Sequence, residues 1–316
     1  MRSSGDLGDA ESLRIICGPT GAGKSALALA LARGRSATIL SADSRQIYRG
    51  FDIGTAKPSK REQRAVPHRG IDVAAPTERY SAARWAESAR TWIAEAVEAK
   101  RTPLVVGGAG LYLRALTEPL FDEPPLDPAR RDALDAELAT YSLHDLRRWC
   151  ERLDPARAQL GRTQLLRAIS VALLSGKPIS EWHAHPPRAA GVPARYLVVD
   201  PGTALASRLD ERLWAMLEAG WEQEVERLTR TVPADAPAWN GTGYKWVRCA
   251  VRGELAREEA VSRVRLDTRR YAKRQRTWFR HQLPPARVMR LDPTAPDALE
   301  RATSWWNATD DGGVTA

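Results

Sequence analysis

Three observations predict an α/β fold in which helices pack on the faces of a parallel sheet. The apolar run Ile15-Ile16-Cys17 leads into the glycine loop Gly18-Pro19-Thr20-Gly21-Ala22-Gly23-Lys24-Ser25, and the good helix formers Ala26–Ala32 follow it. The same succession of strand, loop and helix returns at Pro103–Val106, Gly107-Gly108-Ala109-Gly110 and Leu111–Leu116. The run Pro103–Val106 is continuously apolar, as a strand covered on both faces requires, so it belongs in the interior of such a sheet.

Between these two units, Ala37–Leu40 reads as a second strand that ends at Ser41-Ala42-Asp43. Tyr80–Lys100 reads as a helix, because Ala83, Ala86, Ala89, Ile93 and Val97 recur at helical spacing and Ser81 can cap it. After Leu116 the character changes. Pro119–Pro128 is proline-rich and acidic, like a linker, and Ala129–Ala139, Leu143–Arg152 and Thr163–Leu174 read as helices with no strand signal between them. We take residues 117–194 as a helical insertion. Tyr196-Leu197-Val198-Val199-Asp200 is again a strand that can rejoin the sheet, followed by helices at Leu205–Ala219, Glu222–Thr231 and Arg257–His281. In the last of these Val261, Val264, Thr268, Tyr271, Gln275 and Trp278 form one packing stripe. The expected organisation is a core in two parts, residues 11–116 and 195–306, interrupted by the insertion, with disordered ends at 1–10 and 307–316.

Hydrophobic residues make up 43 % of the 316, enough for a sizeable core, and no apolar run of membrane-spanning length occurs. The N-terminal stretch has no apolar signal region. Cys17, Cys150 and Cys249 are scattered, without metal or redox spacing, which suits a reducing cytoplasm. A monomer is expected. The net charge of +9 is uneven: the insertion is close to neutral, whereas between residues 263 and 280 Arg263, Arg265, Arg269, Arg270, Lys273, Arg274, Arg276 and Arg280 face one acid, Asp267. That patch suits a polyanionic partner or a merely solvated helix.

The loop Gly18–Ser25 fits G-x-x-x-x-G-K-[ST] without a mismatch. Its glycines let backbone N–H groups turn inward, the helix that follows adds its positive end, Lys24 adds a full charge, and the Ser25 hydroxyl can ligate Mg²⁺. A di- or triphosphate binds such a loop. In a parallel sheet, ligands sit at the carboxyl ends of the strands, so the Asp43 loop and the Gly107 loop share the rim with it. Asp43 is the carboxylate best placed to accept a proton there, or to cap the next helix or attend a metal ion.

The stretch Ser41-Ala42-Asp43-Ser44-Arg45-Gln46-Ile47-Tyr48-Arg49-Gly50-Phe51-Asp52-Ile53-Gly54-Thr55-Ala56-Lys57-Pro58 resembles the signature of the tRNA dimethylallyltransferases, also called tRNA isopentenyltransferases. Val106-Gly107-Gly108 with Gly110-Leu111-Tyr112, Ser175-Gly176-Lys177, Gly243-Tyr244-Lys245, and Tyr271-Ala272-Lys273-Arg274-Gln275 leading to Thr277-Trp278-Phe279-Arg280 follow in the family's order. The resemblance implies transfer of a dimethylallyl group from dimethylallyl diphosphate to N6 of the adenosine 3′ of the anticodon, with Mg²⁺. It makes Asp43 the base, with Arg212 and Thr20 beside it on the diphosphate held by residues 18–25. Ser44, Gln46, Thr55, Lys57, Arg270, Lys273, Arg274 and Gln275 fall on the RNA side, where Thr55 and Lys57 suit structural roles equally well. Tyr112 is expected to pack. The implied partner is a tRNA anticodon stem-loop, clamped by the insertion, whose target base leaves its stack to react.

The chain departs from the family pattern at Ala109, where a hydroxyl is usual, and at Leu160-Gly161 and Gln164, where Asn-Asp and an arginine are usual. Trp239-Asn240-Gly241-Thr242 is also unusual for the family. Prenylation of free AMP, ADP or ATP, a small-molecule kinase, and a catalytically impaired tRNA-binding homologue are the competing readings.

Overall fold

The computed structural model describes residues 12–118, 124, 126–184 and 190–308. The chain divides into two compact units: Met1–Thr117 together with Val192–Ala316, and Glu118–Gly191. Most of the linker-like Pro119–Pro128 stretch and the ends expected to be disordered lie outside the described residues, except that Asn307 closes the last helix.

The first unit runs β1 (Leu13–Cys17), α1 (Lys24–Ala32), β2 (Ala37–Ala42), α2 (Lys60–Ala65), β3 (His68–Arg69), α3 (Ala82–Glu98), β4 (Thr102–Gly107) and α4 (Gly110–Thr117). The second unit contains α5 (Pro128–Leu138), α6 (Leu143–Leu153), α7 (Arg162–Ser175) and α8 (Ile179–Ala184). The chain then returns through β5 (Ala194–Val199), α9 (Leu205–Glu218), α10 (Trp221–Thr231), α11 (Tyr244–Val251), α12 (Arg257–His281), β6 (Val288–Leu291) and α13 (Ala298–Asn307).

The described strands form one all-parallel sheet in the order β3-β2-β4-β1-β5-β6. β4 lies between β2 and β1, the interior position that its unbroken apolar run requires. β5 rejoins the sheet against β1, in a register that pairs Leu13 with Ala194 and Cys17 with Val198. Leu31 of α1, Ile16, Ile39, Leu104, Leu197 and Val199 of the strands, and Trp305 and Trp306 of α13 form one buried cluster.

The buried face of α3 keeps Ala86, Ala89 and Ile93 of the expected stripe and differs at its two ends. Trp85, Ala86, Ala89, Ile93 and Ala96 are buried, whereas Ala83 and Val97 are exposed. The cause is Trp85, whose indole N–H reaches the carbonyl of Ser41 at 3.0 Å and so turns the helix to bury the largest side chain. Ser81 caps α3 by accepting from the N–H of Arg84 at 3.1 Å. On α12 the buried residues are Ala260, Val264, Ala272, Gln275 and Phe279, while Val261, Thr268, Tyr271 and Trp278 of the expected stripe are half-buried along its edge.

In the second unit Leu138, Leu146, Cys150, Leu165, Ile169 and Ile179 make a separate core. Asp127 and Ser142 cap α5 and α6 through the N–H groups of Arg130 and Asp145. Gly161 occupies the N-cap of α7, and its N–H is accepted by the Gln164 side chain at 3.2 Å. The departure from the family pattern at Gly161 and Gln164 therefore closes a helix end.

Candidate active site

Parallel strands bring their carboxyl ends to one rim, and the chemistry-bearing loops sit there. The loop after β1 starts at Gly18, whose φ is +144°, and a Cβ at this position would overlap the carbonyl of Val199 on β5. Only glycine lets the loop leave β1 so close to its neighbour. Gly107 ends β4 against the backbone of Ala42, where a Cβ would overlap the Ala42 carbonyl, and this holds the Gly107 and Asp43 loops together. Ala109 contributes backbone only: its N–H donates to the Ala42 carbonyl at 3.1 Å and its carbonyl accepts from Tyr112 and Leu113 to begin α4. Tyr112 is buried, stacked on Trp85 with ring centroids 5.0 Å apart.

Lys24 folds back over the loop and donates from Nζ to the carbonyl of Pro19 at 2.7 Å. Burial, and then the cationic Arg212, pull its pKa down to about 8 against the opposing pull of Asp43. Arg212 on α9 is half-buried; desolvation lowers its pKa and the charge of Asp43 opposes this. No hydrogen bond or ion pair engages Arg212 among the described residues, and it lines the same pocket as Lys24. The Ser25 hydroxyl is exposed and also without a hydrogen bond among the described residues.

Asp43 follows directly on β2. Its Oδ1 accepts from the N–H of Arg45 at 2.8 Å and, more loosely, of Gln46 at 3.4 Å. This turn fixes the carboxylate and leaves Oδ2 without a hydrogen bond among the described residues. Thr20, Lys24, Ser25, Asp43 and Arg212 line one pocket. Leu209, Leu213, Met216, Trp221 and Val264 give the same pocket an apolar wall, and Arg45 and Tyr271 also face it. Burial and the nearby Asp43 push the Tyr271 hydroxyl up to about 12, so it stays protonated in neutral solution.

The residues expected on the RNA side divide. Gln46 is buried, accepts from the Ser41 hydroxyl at 2.9 Å and donates to the carbonyls of Thr55 and Ala56 at 3.2 and 3.1 Å. The Thr55 hydroxyl donates to the Phe51 carbonyl at 2.7 Å. Lys57, its side chain 4 % exposed, is held by the Tyr48 carbonyl and by Asp52 and Asp72, each carboxylate at 2.6 Å. The amide of Gln275 is committed at both ends, to Thr20 and Gly108. These four side chains hold loops in place. Ser44 is half-buried, and Arg270, Lys273 and Arg274 are exposed on α12.

The basic helix is less free than its composition suggests. Arg263 pairs with Glu259, Arg265 and Arg269 pair with Asp210, Arg270 pairs with Asp267, and Arg276 pairs with Asp200. Lys273, Arg274 and Arg280 carry no ion pair among the described residues.

Glu224 on α10 has no counterpart among the residues picked from the sequence. It is 2 % exposed, and its carboxylate accepts from the N–H groups of Asp52 and Ile53 at 3.0 and 2.7 Å and from the Tyr244 hydroxyl at 2.6 Å. One of three glutamates in Trp221-Glu222-Gln223-Glu224-Val225-Glu226, it gives no sign of this role in the sequence. For Arg45 the signal was present, since it stands between Ser44 and Gln46 in the stretch already singled out.

Among the described residues no cluster of three or more His, Cys, Asp or Glu side chains could enclose a metal ion. The residues present fit a divalent cation that borrows most of its ligands: the unengaged Ser25 hydroxyl supplies one oxygen, and phosphate oxygens and waters suit the rest.

A cationic loop, a fixed carboxylate and an apolar wall around one pocket on an α/β sheet suit a phosphate-loop transferase. The family model for IPP transferase matches residues 46–282, and that for isopentenyl transferase matches residues 11–70. The tRNA dimethylallyltransferase of Rhodospirillum centenum is 44 % identical over 297 residues, covering 91 % of this chain and 93 % of the relative. That of Acaryochloris marina is 40 % identical over 272 residues, covering 85 % and 89 %. Among solved structures, a full-length tRNA isopentenylpyrophosphate transferase from Bacillus halodurans matches with a TM-score of 0.63 at 30 % identity, over 94 % of this chain and 100 % of that one. A eukaryotic dimethylallyltransferase acting on tRNA matches with a TM-score of 0.77 at 25 % identity, over 94 % and 77 %. The chain belongs to the IPP transferase family, the tRNA dimethylallyltransferases.

Proposed function

We propose that this chain transfers the dimethylallyl group of dimethylallyl diphosphate to N6 of the adenosine 3′ of the anticodon in tRNA, releasing diphosphate. The observation that carries the reading is that Asp43 and the cations Lys24 and Arg212 line a single pocket. The loop from Gly18 to Ser25 presents its N–H groups to the diphosphate, with Thr20 at its rim, and Lys24 and Arg212 share the charge that grows on it as the carbon–oxygen bond breaks. Asp43, steadied through Oδ1, takes the N6 proton at Oδ2 as the new carbon–nitrogen bond forms. The apolar wall from α9, α10 and α12 shields the allylic carbon from water. A divalent cation, Mg²⁺ in this reading, neutralises the departing diphosphate when bound, and the Ser25 hydroxyl would hold it together with diphosphate oxygens.

On the acceptor side, Lys273 and Arg274 hold backbone phosphates, with Arg270 and Ser44 beside them, and fix the register of the stem-loop. Gln46, Thr55 and Lys57 serve that side indirectly, by shaping the mouth through which an extruded base enters. The helical unit of residues 118–191 clamps the stem. We place the enzyme in the cytoplasm as a monomer, where three free thiols are at home.

Incubation with labelled dimethylallyl diphosphate and either unmodified tRNA or AMP tests the reading. Label enters tRNA. Label in AMP alone would make the chain an adenylate prenyltransferase, and label in neither, with tRNA still bound, would make it a tRNA-binding protein without this activity.

A further inference from the structure

We infer that Gln275, although it stands on the basic helix α12, is a positioning residue for the prenyl diphosphate and not an RNA contact. Its side chain is 7 % exposed. The amide oxygen accepts from the N–H of Thr20 at 2.8 Å, and the amide nitrogen donates to the carbonyl of Gly108 at 2.8 Å. One planar group thus staples the phosphate loop, which follows β1, to the glycine loop that follows the neighbouring strand β4. The staple needs a donor and an acceptor at opposite corners of one amide on a side chain of this length. Asparagine is too short, and an ionised glutamate cannot donate. The approach is tight, since a Cβ on Gly108 would overlap the amide nitrogen. Lys273 and Arg274, two residues and one residue earlier, are exposed because successive helix positions turn by about 100°. The helix therefore addresses two substrates from two faces: cations outward toward a polyanion, an amide inward onto the loop that holds the donor.

The inference rests on the reading that residues 18–25 hold the diphosphate of the donor. Its test is the Michaelis constant of each substrate in Gln275→Ala and Gln275→Glu, beside the double variant Lys273→Ala with Arg274→Ala. Loss of the staple leaves a buried N–H and a buried carbonyl unpaired and the loop free to drift. The expected result is a rise of about tenfold in KM for dimethylallyl diphosphate with KM for tRNA unchanged within about twofold. The double variant shows the reverse pattern. An unchanged donor KM, a rise confined to tRNA, or an equal rise in both would overturn the proposal. If Gln275→Ala does not fold, Gln275→Glu keeps the length and the acceptor and carries the measurement. Calorimetry with inorganic diphosphate separates this proposal from the reading beneath it. A wild-type protein that binds diphosphate without labelling tRNA defeats the reading of its activity, whereas a Gln275→Glu variant that binds diphosphate as tightly as wild type defeats the staple.

Discussion

Two stretches of this chain match their motifs closely, and they work in opposite ways. The phosphate loop, residues 18–25, presents its own side chains: glycine backbone conformations set the curl, and Thr20, Lys24 and Ser25 line the pocket. In the stretch from Ser41 to Pro58, Asp43 and Arg45 face the pocket with side chains the protein has not fully engaged, whereas Gln46, Thr55 and Lys57 are consumed in holding the stretch itself. Glu224 and Gln275 extend that scaffold from α10 and α12. The lesson is that a specific motif does not make each of its residues a ligand contact. Within one signature, most polar groups buy the shape that lets one carboxylate act.

The contrast can be broken by substitution, and the largest effect is expected at Asp43. Asp43→Ala should lower the transfer rate by roughly 10³-fold in single-turnover labelling while stem-loop binding, measured by filter retention, stays within about twofold. Retained turnover would remove Asp43 as the base. Arg212→Ala should cost about 10²-fold in kcat with a smaller change in donor KM, because the cation is needed most as the diphosphate departs. Glu224→Ala belongs on the scaffold side. It strands the N–H groups of Asp52 and Ile53 and the hydroxyl of Tyr244, so a loss of about 2–3 kcal/mol is expected in denaturant unfolding.

The pH dependence of donor binding sharpens the cradle side. Lys24 carries its proton only below about 8, and an anion favours the charged form, so binding holds steady below that pH and weakens above it. The donor KM should climb by up to about tenfold per pH unit beyond 8. In Lys24→Arg, which keeps its charge, the rise should move to higher pH. The smallest effect concerns the outer face of α12. Removing Lys273 and Arg274 together should lower the log–log salt slope of stem-loop binding by about two. Removing Arg263 and Arg269, already paired with Glu259 and Asp210, should change it by less than half of that.

Strongly periodic or unbroken apolar segments were readable from the sequence: β1, β2, β4 and β5, the helices α1, α3, α9 and α12, and the parallel sheet they imply. What escaped was short or locally quiet. β3 has two residues, and β6 has four with partly exposed edges. α2 buries none of its residues and stands on the capping box between Ser59 and Glu62, a Ser-x-x-Glu signal that was there to be seen. α13 also carried a signal, with Ala298, Ala302, Trp305 and Trp306 at helical spacing. The site shows the same division. Lys24 and Asp43 could be named from motifs and Arg212 from the family resemblance alone, but the engagement of Gln46, Lys57 and Gln275 could not, because an internal hydrogen bond leaves no mark on residue type. Ion pairing across α9 and α12 likewise hid how few of the arginines on α12 are available.

The 74-residue unit from Glu118 to Gly191 also has a consequence for how the protein is made. β1 leaves the ribosome early, but β5, its neighbour in the sheet, emerges only after that unit has been translated. At roughly 5–20 residues per second this leaves the nascent glycine loop about 10–35 s without the strand that packs against Gly18. Arg212 comes later still, so the pocket it lines with Lys24 and Asp43 is complete only once that second flank arrives.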